Sequence, residues 1–83
     1  MAGAFIPSIE ADTSGDNLVL KMQVLFFAAG LKDLSSISVE ILPADTLAQI
    51  KAKVVSAITA EALALGYSVP AANMIIPTFQ RGA

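Results

Sequence analysis

The sequence predicts an α+β domain in which one long helix packs on a small sheet of three or four strands. Three observations carry this expectation. Residues 42–66 hold an apolar stripe of helical period between a start signal and a stop signal. Residues 18–29 alternate apolar side chains at period two, and residues 36–42 do so over a shorter run.

The helix is the plainest element. Thr46 can accept a bond from the first-turn amides while Gln49, three residues on, reaches back to it, a capping box. Asp45 stands beside Thr46 as a competing cap. Leu47, Ile50, Val54, Ile58 and Leu65 recur at three-and-four spacing and form the face to be buried. Gly66 tolerates the left-handed turn that ends many helices. The outer arc holds Ala48, Gln49, Ala52, Lys53, Ser56, Ala57, Thr59, Ala60, Leu63 and Ala64. Such small residues admit a second helix or backbone at close range, and alanine is also the strongest helix former, so the arc fits close contact and plain filling equally.

The remaining elements follow in chain order. Residues 1–16 read as an apolar N-terminal arm and turn, and residues 17–83 as a single α+β domain. In the arm Phe5, Ile6 and Ile9 are bulky, and Pro7, which has no N–H to donate, suits an edge strand or a strap. The composition of residues 11–17 is that of a turn. Along residues 18–29, Leu18, Leu20, Met22, Val24, Phe26 and Ala28 share one face. The other face begins with Lys21 and Gln23 and then shows Leu25 and Phe27. A strand that becomes apolar on both sides is covered twice within its own fold or covered by another chain. Residues 30–35 are expected to carry a turn with Lys32 and Asp33 at its tip. In residues 36–42, Ile37, Val39 and Ile41 alternate with Ser38 and Glu40, and the two runs favour an antiparallel hairpin. Pro70 to Asn73 is a turn, residues 74–79 a third strand with Pro77 at an edge or bulge, and residues 80–83 a tail.

Composition limits the function classes. The chain has 83 residues, 55% of them hydrophobic and 14% charged, with a net charge of −2. Average soluble domains run at roughly 45–50% and about 25%, so this chain is short of charge for a solitary solvated surface. A domain of this length hides only roughly 60–65% of its surface. Five Lys and Arg in all build no basic footprint for nucleic acid. The start of the chain lacks the basic and apolar regions of a secretory signal, and the apolar run 24–29 is far below the roughly 20 residues that span a bilayer. A soluble protein of a reducing compartment, or of a particle assembled there, is expected.

The chemical inventory is thin. Without cysteine or histidine there is no disulfide, no zinc site of the usual ligand sets, no thiol nucleophile and no imidazole base. Glycine-rich phosphate loops, nucleophile elbows and spaced ligand clusters are missing from the sequence. Glu10, Asp12 and Asp16 gather in the first turn but do not follow calcium-loop spacing. Neither an enzyme nor a cofactor is expected.

Met22-Gln23-Val24 opening an apolar strand, Ser38-Val39-Glu40-Ile41 leading into Pro43-Ala44-Asp45-Thr46-Leu47, and Ile50-Lys51-Ala52-Lys53-Val54 followed by a proline-containing turn and an apolar strand together resemble a ubiquitin-like β-grasp protein, over about residues 22–76. The resemblance implies ββαβ order and a closing strand supplied from elsewhere, for which residues 1–10 are available. Lys51 and Lys53 match lysines of the family helix and read as solvated charges. The ending Arg81-Gly82-Ala83 lacks the paired glycines of conjugating members.

In size and composition the chain also resembles small virion proteins of tailed bacteriophages. Together these features lead to a non-enzymatic structural protein acting in many copies through apolar contacts with itself or other particle subunits, without nucleic acid or membrane. It would reside in the virion if phage-encoded and otherwise in the cytoplasm. The expected contact residues are Phe5, Ile6, Ile9, Leu25, Phe27, Ala52, Ala60 and Leu63, with the N-terminal arm lent to a neighbouring copy. The alternative is a ubiquitin-like adaptor that binds a protein partner through its sheet face or edge strand.

Overall fold

The computed structural model describes residues 2–76. The chain runs β1 (Gly3–Asp12), β2 (Leu18–Ala28), β3 (Leu31–Ile41), α1 (Leu47–Ala64), a 3-10 turn (Ala71–Asn73) and β4 (Met74–Ile75). These elements make an α+β fold, a mixed sheet in the order β3-β2-β1-β4 with α1 packed on one face. The first three strands form an antiparallel meander, and β4 returns parallel to β1. A parallel return needs a crossover, which α1 supplies. Three strands precede the helix, where ββαβ order has two, because the apolar arm is itself a strand.

That arm corrects the expectation of a strand lent to a neighbour. It pairs with β2 of its own chain, Phe5 opposite Leu25, Ser8 opposite Gln23 and Asp12 opposite Val19. Between Phe5 and Ser8 the strand advances three residues against two on β2, so Ile6 and Pro7 together oppose Val24 as a bulge. Bulges are among the few places where a strand admits proline. Before the bulge Ala4 and Ile6 face the helix, and after it Ile9 and Ala11 do.

The β2–β3 connection is shorter than the turn expected over residues 30–35. Ala28 pairs directly with Leu31, leaving Ala29 and Gly30 as a two-residue loop. Both have positive φ, 46° and 88°, as type I′ hairpins require, and the right-handed strand twist favours that turn. Lys32 and Asp33 consequently lie in a strand and not at a tip. The eleven-residue β2 and β3 are the longest strands of a 41 × 22 × 19 Å molecule.

The core lies between sheet and helix. Ala4, Met22, Val24, Phe26, Val39, Ile41 and Met74 of the sheet meet Ile50, Val54, Ile58 and Ala62 of α1. Leu47 and Leu65, expected on the buried face, are 42% and 41% exposed. They have the right angular position but stand in the first turn and at the C-cap, and Ala62 takes the fourth buried place. Ala57, expected on the outer arc, packs against the core, since at about 100° per residue it falls beside Ile50. The capping box forms as expected: Thr46 Oγ1 accepts from the Gln49 amide at 3.2 Å and Gln49 Oε1 from the Thr46 amide at 2.7 Å. At the other end Gly66, at φ 89°, closes a Schellman motif in which the Tyr67 N–H donates to the Ala62 carbonyl and the Gly66 N–H to that of Leu63. β4 spans Met74–Ile75, and the expected continuation through Pro77 to residue 79 and the tail lie outside the described residues. Among the described residues no helix is long and apolar enough to cross a membrane.

Candidate interaction surface

Strand register determines which side chains share the sheet face turned away from α1. Directly opposed residues of paired strands point to the same side. Ile75 lies opposite Phe5, Phe5 opposite Leu25 and Leu25 opposite Leu34, so one apolar row crosses all four strands. The next row holds Gly3, Phe27 and Lys32. The rings of Phe5 and Phe27 lie 6.4 Å apart at 52°, a tilted aromatic pair. Leu34 is 59% exposed and Ile75 69%, while Phe5, Leu25 and Phe27 are half-buried.

Beyond the bulge the same face turns polar. Its rows there are Ser8, Gln23 and Ser36, then Glu10, Lys21 and Ser38, then Asp12, Val19 and Glu40. Lys21 Nζ pairs with Asp12 at 2.8 Å, and the Ser14 amide and hydroxyl both donate to the other Asp12 oxygen at 2.9 and 2.6 Å. The Lys21 ammonium, then Ser14, holds the Asp12 carboxyl well below the ordinary carboxylate range. Asp12 in turn raises the Lys21 pKa. This carboxylate is thus spent on closing the β1–β2 turn as an Asx motif. Among the described residues no group of three acidic side chains is placed to hold a metal.

The expected contact residues fall into three groups. Phe5, Leu25 and Phe27 come together on the open sheet face. Ile6 and Ile9 are corrected to the helix side of β1, Ile6 by alternation with Phe5 and Ile9 because the bulge shifts the phase by one residue; Ile6 packs on the core and Ile9 is 36% exposed. Ala52, Ala60 and Leu63 are exposed on the helix, the opposite layer of the molecule, with Leu63 at 66%. Leu34 and Ile75 were missed. Leu34 falls in a segment with the look of a turn, and only the register across four strands aligns these two with Phe5 and Leu25.

Two further polar contacts tie the layers together. The Tyr67 hydroxyl donates to Asp33 at 2.6 Å while its ring stacks on Phe26 at 6.0 Å. That bond, with burial, raises the Tyr67 pKa. Lys53, expected as a solvated charge, pairs with the buried Asp45, which also accepts the Leu42 amide at 2.8 Å. Asp45 therefore pins the β3–α1 junction and leaves capping to Thr46.

No protein family, curated protein or solved structure matches this chain.

Proposed function

We propose that the protein is a non-enzymatic assembly subunit that acts in many copies and associates through the apolar half of its open sheet face. The row Ile75, Phe5, Leu25, Leu34 is the observation that carries this reading. Single exposed apolar residues are ordinary, whereas a contiguous row joined to a second aromatic and bordered by a polar half has the make-up of a contact surface. The low proportion of charge supports the same reading, since a chain repeated in close contact needs little solvating surface. Its small size, with neither cysteine nor histidine, suits a bacteriophage particle, as a head-decoration, tail or minor capsid component.

Sedimentation velocity over a range of concentrations tests this. The unaltered chain is expected to form concentration-dependent larger species, and the Leu25→Asp, Phe27→Asp double variant to stay folded and lose those larger species, because both side chains lie off the core face. A monomer at every concentration from the unaltered chain would overturn the reading. That result would favour the alternative, a ubiquitin-like adaptor using the same row for a different protein.

A further inference from the structure

β3 is the long, unbroken edge of the sheet. β2 pairs with it from Leu31 to Ile41, and among the described residues no strand lies on its other side. The opposite edge differs, since β4 covers β1 at Ala4 and Phe5 and the bulge interrupts it at Ile6 and Pro7. The hairpin fixes which groups β3 offers. Ala28 and Leu31 flank a two-residue loop, and in such a hairpin the flanking residues exchange both backbone hydrogen bonds. Alternation then turns the N–H and C=O groups of Lys32, Leu34, Ser36, Ser38 and Glu40 away from β2. The far end agrees, because the Glu40 carbonyl accepts a 3.3 Å bond from Lys53 Nζ.

We infer that β3 pairs antiparallel with β3 of a second copy about a two-fold axis at Ser36, merging the two sheets into one. Two independent features select that axis. Ser36 is the midpoint of β3, so only this register pairs the strand over its whole length. The same register sets Lys32 opposite the second copy's Glu40, and Glu40 opposite the second copy's Lys32. These are the two ionised side chains of β3 on the open face. Ser36 meets its own copy there, hydroxyl to hydroxyl, and Leu34 meets Ser38. On the helix side the 65% exposed Leu31 gains the second copy's Ile41 as a neighbour.

Moving the axis by one residue sets Lys32 opposite Ser38 or Leu42 of the second copy and parts each charge from its complement. A lysine on an edge strand ordinarily deters pairing. A glutamate directly across from it turns the deterrent into a register signal. Pairing also replaces Lys53 at the Glu40 carbonyl with the second copy's Lys32 amide, while Lys53 keeps Asp45. Among the described residues the Glu40 carboxylate has a long 3.4 Å contact from Asn17 to give up.

The inference takes from the proposed function its partner, a second copy, but uses a different surface. The test is therefore run in the full chain carrying Leu25→Asp and Phe27→Asp, with the open face disabled. Sedimentation equilibrium of this chain is expected to show a dimer. Lys32→Glu and Glu40→Lys should each weaken the dimer about tenfold or more, since each turns two attractive cross-strand pairs into repulsive ones. Combining them should restore the affinity of the parent. Ser36→Pro should abolish the dimer with the thermal melt of the monomer retained, because the amide it removes points away from β2. A dimer that persists in both single charge variants and in Ser36→Pro, or no dimer in this chain at all, overturns the inference. Large species from the unaltered chain that are indifferent to the charge variants would sink edge pairing and leave the open-face reading standing. A charge-sensitive dimer without larger species would do the reverse.

Discussion

The ring of Phe27 lies across the place where Gly3 would carry a side chain. A Cβ at Gly3 would stand 2.5 Å from Cζ and 2.8 Å from Cε2 of Phe27, and 3.2 Å from the Asn73 carbonyl oxygen. The glycine is a seat for the aromatic, and the nearby carbonyl leaves the new methyl group little room to shift. Gly3→Ala is expected to destabilise the fold by about 1–3 kcal/mol, as overpacking does, and to displace Phe27 from Phe5. Urea denaturation with the unaltered chain as reference checks this, and an unchanged midpoint would show that the ring moves aside freely.

Ala29 sits at φ 46° in the β2–β3 loop, where alanine is strained, while Gly and Asn, whose short polar side chain bonds locally, are at ease. Ala29→Asn should stabilise the protein by about 0.5–1 kcal/mol without changing any contact. A higher melting temperature with an unchanged sheet spectrum is the expected result, and a lower one would contradict the type I′ assignment.

Tyr67 and Asp33 join the end of the helix to β3 through one hydrogen bond. Tyr67→Phe keeps the stack on Phe26 and should cost about 1 kcal/mol. Because the Asp33 bond and burial raise the phenol pKa above its usual value of 10.0, the folded state favours the protonated phenol. Its contribution is therefore complete below about pH 10 and is lost as pH rises through the raised value. Melts of both proteins between about pH 8 and about pH 12 should show their difference shrinking at the alkaline end. A difference independent of pH would show that folding does not raise the phenol pKa.

Asp45 serves two partners at once, the Leu42 amide and the Lys53 ammonium. Removing it leaves a backbone donor and a half-buried charge without that acceptor, and Asp45→Ala should cost about 2–3 kcal/mol. Lys53→Met spares the bond to Leu42 and should cost about 1 kcal/mol or less, as Lys53 is partly solvated. Equal losses in the two variants would show that the ion pair, and not the junction, matters.

Local signals made the helix legible in the sequence. Thr46, Gln49 and Gly66 are residue types whose chemistry marks a helix end wherever they occur, and the stripe Ile50, Val54, Ile58 needs only helical geometry. The inward set of β2 was legible for the same reason, being a strict alternation from Leu18 to Phe26. The hairpin itself was legible, but Ala29 hid its two-residue turn, because alanine carries no turn signal and the pressure for a positive φ came from the strands on either side. The bulge hid which side chains of β1 face the helix, since Phe5, Ile6 and Ile9 do not alternate until one residue is set aside. The open apolar row was half legible, with Phe5, Leu25 and Phe27 in view. Leu34 and Ile75 join it through pairings between distant parts of the chain, and no window of sequence contains those. The link between Lys53 and Asp45 was obscured similarly, since one partner is on the helix and the other precedes its cap.

The bulge at Ile6 and Pro7 makes one residue of the first strand supernumerary. Excising Pro7 would restore a one-to-one ladder, with Ile6 against Val24 and Ser8 still against Gln23, and no side chain on either flank would change sides. Excision of a residue elsewhere in that strand would invert the phase of everything up to the nearest chain end or bulge. A single-codon deletion is thus silent at one site and disruptive at its neighbours, and related chains that differ in length here should differ at this site.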